Sequence, residues 1–463
     1  MGRVKCPVRE SGRRFPDRPA LEFEGARWTW GQLDAAVGGW QRWLEAHGVR
    51  QADRVATLAW SRPELLLLWF ALGRLGAALV PLNARLTAAE LGPLVERAGV
   101  RLVLADEALI DRLPGARPFP APAPQAVADG EPEGSQVFAA LFTSGTTGTP
   151  TLVPLTVGNF VAAHAANAAN LGAVETQVWL GTLPLFHVGG LAMAFRWAMM
   201  GAALVLERQF DAGRAAALLR RGDLTHASVV PTALARLLDQ PGPPFASSLA
   251  AILVGGGPMG AELLSRARAR GLPVLQTYGL TEACSQVTTE RPAEADGSTA
   301  GHALPGLEVR VVDEHGVSCA PGTVGEVQVR GGTVTPIAGE WLPTKDLGSL
   351  DARGRLTVHA RRVDLIVSGG ENIYPAEVEA VLSASGLVTD VAVAPMADPT
   401  WGQVPVAFVV WKAAAADEAL LTYARARLAG FKVPRRLVAM QELPRNAGGK
   451  LLRHQLVAPH SPA

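Results

Sequence analysis

The 463-residue sequence predicts an α/β protein: a large N-terminal domain of doubly wound sheets, a small β-barrel, and a small α+β domain at the C-terminus. Three observations carry this. Residues 21–106 alternate short apolar runs with helical patterns, the signature of a mostly parallel sheet covered on both faces. The pentapeptide Gly76-Ala-Ala-Leu-Val80 returns verbatim as Gly201-Ala-Ala-Leu-Val205, which suggests two similar helix-to-strand units, although five small residues can also coincide. Beyond Gly301 the texture switches to alternating apolar and polar residues between glycine-rich turns, which reads as antiparallel β.

Taken in order, Trp28-Thr-Trp-Gly-Gln-Leu33 opens a helix running towards Ala46, with Thr29 as candidate N-cap. Arg54 to Ala59 reads as a strand, Glu64 to Leu75 as a helix, and Gly76 to Pro81 as the next strand. From Leu113 to Gly134 the composition shifts to Pro, Ala, Gly and acid, a surface connection. Val137 to Phe142 is an apolar run of strand length, and Thr156 is placed to cap an alanine-rich helix. Leu191 to Met200 reads as a helix. Thr225–Val230, Ala251–Val254 and Val274–Thr277 read as strands, each ending in a loop of small or polar residues, where open α/β sheets bind ligands. Leu307–Val312 and Gly325–Arg330 alternate as antiparallel strands. The boundary between the two domains is expected at Arg361-Arg-Val-Asp364, giving 1–360 and 361–463.

Hydrophobic residues make up 48% and charged residues 18% of the chain, as in globular proteins. A formal charge of +1 excludes a surplus of base for a nucleic-acid partner. Lysine occurs only at Lys5, Lys345, Lys412, Lys432 and Lys450. Cys6, Cys284 and Cys319 match neither a zinc pattern nor a disulfide framework, which fits a reducing cytoplasm. The N-terminus lacks the apolar core of a signal peptide. Arg74 and Arg196 interrupt the longest apolar runs, so no membrane span is expected.

Leu141-Phe-Thr-Ser-Gly-Thr-Thr-Gly-Thr-Pro150 follows the strand at Val137. Its small residues let a backbone approach a ligand closely, and its N–H groups and hydroxyls suit phosphate oxygens. The Walker lysine is missing. Alone, such a run is more often than not a flexible loop. Its company decides: Leu183-Pro-Leu-Phe-His187, Tyr278-Gly-Leu-Thr-Glu282, Lys345-Asp346, Ser368-Gly-Gly-Glu-Asn-Ile-Tyr-Pro375 and Pro444-Arg-Asn-Ala-Gly-Gly-Lys450 follow in that order. Over nearly its whole length the chain resembles the adenylate-forming superfamily of acyl-CoA synthetases, peptide-synthetase adenylation domains and beetle luciferases.

The resemblance implies an acid–thiol ligase that uses ATP, Mg²⁺ and coenzyme A. A carboxylate attacks the α-phosphate of ATP, and the thiol then displaces AMP from the acyl-adenylate. Thr143, Ser144, Gly145, Thr146, Thr147 and Gly148 would hold phosphate. Gly255, Gly256, Gly257 and Pro258 would lie against adenine, with Tyr278 stacked above it after the turn at Gly279. Asp346 and Arg361 would bind the ribose. Glu282 would hold the metal, with Thr281 on a phosphate oxygen, and Lys450 would be the cation of the adenylation step. Gly369 and Gly370 would line the coenzyme A path as a mobile C-terminal domain rotates between half-reactions. A homodimer is the assembly the resemblance allows.

Each of these charged residues, met alone, would be read as solvated surface. His187 reads almost equally as a packed ring and as a substrate-site residue, and it is assigned to the acid. Ser285 and Gln286 are assigned to the acid by local resemblance. Arg196 lies in an apolar helix, where an arginine is costly unless paired. It is expected to meet an internal acid, or the second carboxylate of an aromatic dicarboxylic substrate. Two departures stand out: Thr149 and Thr151 replace the usual loop lysines, and Ala360 and Val363 leave no single hinge residue identifiable. Other aryl or fatty acids, a carrier-protein thiol, and an inactive adenylate-binding homologue are the alternatives.

Overall fold

The computed structural model describes the chain except residues 1, 87, 127–130, 144–149, 258, 336–339, 362–365, 369–370, 399–400, 415, 429, 447–448 and 457–463. Two compact units are present: Met1–Val309 with Val329–Leu342, and Arg310–Gln328 with Pro343–Ala463.

The first unit contains two large sheets. One runs in the order Arg117–Pro118, Leu102–Ala105, Arg54–Leu58, Ala78–Leu82, Val137–Thr143, Thr151–Thr156. Its strands are parallel apart from the last, which forms a hairpin with Val137–Thr143. The other centres on Val274–Leu280, Ala251–Val254, His226–Val229, Val178–Gly181, Ala203–Leu206 and Pro19–Phe23, all parallel. Antiparallel strands flank it: Ser285–Thr289 and His302–Ala303 at one edge, Ala26–Thr29 at the other. This is the doubly wound architecture predicted.

The repeated pentapeptide has one physical meaning at both places. Gly76 (φ +77°) and Gly201 (φ +66°) cap the helices Pro63–Leu75 and Val188–Met200 in the left-handed region, a conformation glycine adopts without a Cβ penalty. The following strands therefore begin two residues later than the sequence pattern suggests. Thr29 caps Trp30–Ala46 with Gln32, and Thr156 caps Val157–Leu171 with Asn159, each as a reciprocal box.

Aromatic rings fill the interior of this unit. Trp69 stacks on Phe138 at 4.5 Å, and Phe160 and Phe195 close the cluster. Trp30 and Trp197 stack at 4.7 Å, and their indole N–H groups donate to Gly201 O and Ala20 O, so burial leaves neither donor unsatisfied. Arg74, buried in its apolar helix, pairs with Asp34, which also accepts from Arg9 Nε at 2.8 Å.

Leu307–Val312, Gly325–Gly331, Leu342–Leu350 and Leu356–Arg361 form a four-stranded sheet in that order. Asp346 lies opposite Arg361 in the last pair. Arg361 thus ends a strand, and the compact-unit division falls earlier than the 360/361 boundary read from sequence. In the C-terminal part of the second unit, Glu371–Ile373, Ile366–Ser368, Gly402–Trp411 and Val388–Asp398 pair in order, with Arg436–Ala439 parallel to Gly402–Trp411. Helices Pro375–Ser383 and Asp417–Arg425 contribute Val378, Leu382 and Leu420 to its apolar core. Among the described residues no helix is long and apolar enough to cross a membrane.

Candidate active site

The predicted nucleotide residues of the first unit lie at strand ends. Gly255 follows Ala251–Val254, and a Cβ there would stand 2.7 Å from Thr277 Cγ2 and 2.8 Å from Thr277 O. Only glycine permits that approach. Gly256 (φ +79°) and Gly257 are exposed, which leaves bare backbone of the kind a flat ring can lie on. Pro258 lies outside the described residues. Tyr278 is half-buried in Val274–Leu280, with a register shift between it and Gly279.

After that strand the chain turns sharply through Thr281–Ala283, with Cys284 at φ +50° and Ser285 at φ +93°. Two consecutive non-glycine residues at positive φ store strain that their surroundings must hold. Part of the restraint is Thr335, whose N–H donates to Glu282 O at 2.8 Å and whose hydroxyl donates to Pro154 O at 2.9 Å. One threonine therefore ties the Thr281-Glu282 turn to the strand leaving the phosphate loop. Thr143 faces Thr151 across the base of that loop. Ser144, Gly145, Thr146, Thr147 and Gly148 lie outside the described residues, as does Thr149. At the loop's exit, Arg97 Nη1 donates to Pro150 O at 2.5 Å.

Among the described residues no group of three or more His, Cys, Asp or Glu side chains is placed to hold a metal. The half-buried Glu282 would be a single protein ligand. That suits Mg²⁺, which commonly takes one or two carboxylates and completes its shell with water and substrate phosphates.

His187 precedes helix Val188–Met200 and makes no side-chain cap bond. Its loop is fixed from below: Leu185 N–H donates to the buried Ser61 hydroxyl at 3.2 Å, and Phe186 lies 6.2 Å from Trp60. The surrounding chain, and secondarily the charge of Arg85, lower the proton affinity of His187. His187 is exposed, whereas His226 is buried. The His187 imidazole is neutral at pH 7 and is not a fixed cation.

Arg196 corrects one expectation. Its partner is no acid: Nη1 donates to Gln286 Oε1, a neutral carboxamide, and Nε has no hydrogen-bond partner among the described residues. The guanidinium lies 5.2 Å from the Trp179 ring, which shares its burial cost. Burial lowers the Arg196 pKa to about 10, so the charge survives at neutral pH. His164 and His226 fall to about 4 through burial and, secondarily, the charge of Arg196. The structure thus brings Arg196 and Gln286 together, with Ser285 half-buried beside Gln286. Asn167, Trp179 and Ser61 were missed by sequence reading. Asn167 is one of three asparagines in the alanine-rich helix Val157–Leu171, and nothing in the sequence separates it from Asn159 and Asn170.

The remaining predicted residues belong to the second unit. Asp346 is buried after Lys345, which adopts φ +63°. The preceding Thr344 holds this kink, donating to Val327 O at 2.7 Å and accepting from Asp346 N–H at 3.2 Å. Arg361 stands at the register position opposite Asp346. Lys450 sits exposed on a tight turn, where its N–H donates to Asn446 Oδ1 at 2.9 Å and Asn446 N–H donates back to Lys450 O at 2.8 Å. Gly369 and Gly370 lie outside the described residues, as do Val363 and Asp364.

Residues 8–337 match the AMP-binding enzyme family, and residues 377–450 match the AMP-binding enzyme C-terminal domain. The 2-succinylbenzoate–CoA ligase of Geobacillus kaustophilus is 39% identical over 465 residues, with 95% of each chain covered. That of Bacillus mycoides is 38% identical over 461 residues, again with 95% of each covered. Among solved structures, o-succinylbenzoate CoA synthetase from Bacillus subtilis, in complex with its acyl-adenylate intermediate, superposes with a TM-score of 0.93 at 34% identity, covering 99% of both chains. The same enzyme with ATP and magnesium ion gives 0.91 at 34% identity, covering 98% of this chain and 99% of that one.

Proposed function

The chain belongs to the AMP-binding enzyme family, and from that membership we propose that it is an ATP-dependent 2-succinylbenzoate–CoA ligase. The observation that carries the choice of acid is the 39% identity to the Geobacillus ligase across 95% of both chains. The reaction runs in two halves. A carboxylate oxygen of the acid bonds to the α-phosphorus of ATP as the bond to pyrophosphate breaks. The coenzyme A sulfur, losing its proton, then bonds to the acyl carbon and AMP leaves.

Such transfers need positioning and charge neutralisation more than covalent help. Residues 1–360 bind nucleotide and acid. The phosphate loop from Thr143 to Gly148 supplies N–H and hydroxyl donors, and Gly255 to Pro258 with Tyr278 hold the adenine. Asp346 and Arg361 hold the ribose. Glu282 holds Mg²⁺, which supplies charge neutralisation at the phosphates. Residues 361–463 supply Lys450 to the adenylation step and Gly369-Gly370 to the thiol step. His187, Ser285, Gln286 and Arg196 define the acid site, with Arg196 reaching the distal succinyl carboxylate directly or through water. We place the reaction in menaquinone biosynthesis and in the cytoplasm, with which the three free cysteines are consistent. The sequence allows a homodimer, and light scattering reads that directly.

The test is pyrophosphate release with ATP, Mg²⁺ and 2-succinylbenzoate, followed by addition of coenzyme A. Acid-dependent pyrophosphate, then thioester and AMP only after coenzyme A, is the expected sequence. Pyrophosphate without any thioester to coenzyme A would redirect the reading to a carrier-protein acceptor.

A further inference from the structure

Arg196 is a buried cation whose nearest oxygen is neutral, and that oxygen belongs to a carboxamide held on both sides by hydrogen bonds. Gln286 Oε1 accepts from Arg196 Nη1 and from Asn167 Nδ2 at 2.9 Å. Gln286 Nε2 donates to Thr277 Oγ1 at 3.1 Å and to Thr289 Oγ1 at 3.2 Å. These contacts leave the carboxamide one orientation, oxygen towards the guanidinium. Trp179 covers the guanidinium and stacks in turn on His226 at 4.8 Å. The titratable groups whose fields couple to Arg196 are His164, His226 and Cys284, and burial favours the neutral form of each. Among the described residues Arg196 enters no ion pair, and its Nε lacks an acceptor.

We propose that Gln286 determines acid specificity by holding Arg196 in place through an uncharged oxygen, leaving one positive charge for a second carboxylate on the substrate to neutralise. The inference rests on the reading of the acid as an aromatic dicarboxylate. Gln286 is a positioning residue here, acting through Arg196. A glutamate at this position would match the shape and keep the oxygen, but it would cancel the charge internally. The second carboxylate would then meet a neutral pair. Discrimination arises because an unpaired buried charge is penalised when the partner lacks the complementary group. An acid lacking the distal carboxylate has little to lose.

The experiment compares kcat/KM in pyrophosphate release for 2-succinylbenzoate and for 2-butyrylbenzoate, which lacks the distal carboxylate. Wild type, Gln286→Glu, Gln286→Met and Arg196→Met are measured, with KM for ATP and the thermal midpoint as controls on folding. In Gln286→Glu the preference for the dicarboxylate should fall by about 30-fold or more, the lower range for a buried charge pair, and the loss should appear in KM for the acid. Gln286→Met, which removes the oxygen without adding charge, should retain most of the preference. If Gln286→Glu keeps the preference while Arg196→Met abolishes it, the proposal is overturned and the dicarboxylate reading stands. If Arg196→Met also keeps it, that reading fails and takes the proposal with it.

Discussion

A single methyl group at Gly279 tests whether the turn after Val274–Leu280 positions the chemistry. That Cβ would stand 1.7 Å from Ser285 O, 2.6 Å from Ser285 C and 3.0 Å from Gln286 Cα. All three are main-chain atoms, so no side chain can swing aside. Reaching even a 3.0 Å contact requires the backbone to move by about 1.3 Å. The opposing segment already carries Cys284 and Ser285 at positive φ and has little slack. The displacement falls on Tyr278 and Glu282 on one side and on Gln286 on the other. Misplacement of ~1 Å typically costs ~10²-fold in rate, and overpacking ~1–3 kcal/mol in stability. Gly279→Ala should therefore lower kcat/KM for ATP and for the acid together, each by ~10²-fold, while circular dichroism shows the fold retained. Pyrophosphate release at varied ATP and varied acid, beside calorimetry, provides the measurement. Unchanged constants for both substrates would refute the positioning argument.

Lys450→Ala should slow adenylation by ~10²–10³-fold, the usual cost of losing one preorganised charge donor, while thioester formation from supplied acyl-adenylate is largely spared. Equal loss in both half-reactions, or in neither, would remove Lys450 from that role. The depressed histidines give a pH prediction. His164 and His226 have folded pKa values of about 4 against the ordinary 6.5. Between those values the unfolded chain binds protons that the folded chain refuses, so stability is greatest above pH 6.5 and falls as pH drops towards 4. Urea midpoints at pH 7.5, 5.5 and 4.5 read this directly, and His226→Gln should flatten the slope.

Local chemistry was the legible part of the fold. Thr29 and Thr156 announced their helices because an N-cap is a short-range signal carried by one hydroxyl. The apolar periods located the central strands, and Gly255, proposed to lie against adenine, follows one of them. What failed was set by contacts distant in sequence. Gln286 meets Arg196 from 90 residues away, and no spacing rule links a helix interior to a strand of the flanking sheet. An acid was expected because a buried arginine ordinarily needs one. The face of Trp179 and a carboxamide share that task instead. Thr335, which fixes Glu282 from 53 residues downstream, was invisible for the same reason. The strand starts after Gly76 and Gly201 were misjudged because the sequence pattern does not mark which glycine caps a helix.

Substrate choice is the most direct test of the central claim. Purified enzyme is given 2-succinylbenzoate, benzoate and octanoate in turn, with ATP, Mg²⁺ and coenzyme A, and the specificity constant for each thioester is measured. The assignment predicts that 2-succinylbenzoate exceeds both mono-acids by at least ~30-fold, the contribution of one buried charge pair. A higher specificity constant for benzoate or octanoate would contradict it, leaving an acyl-CoA ligase of a different acid.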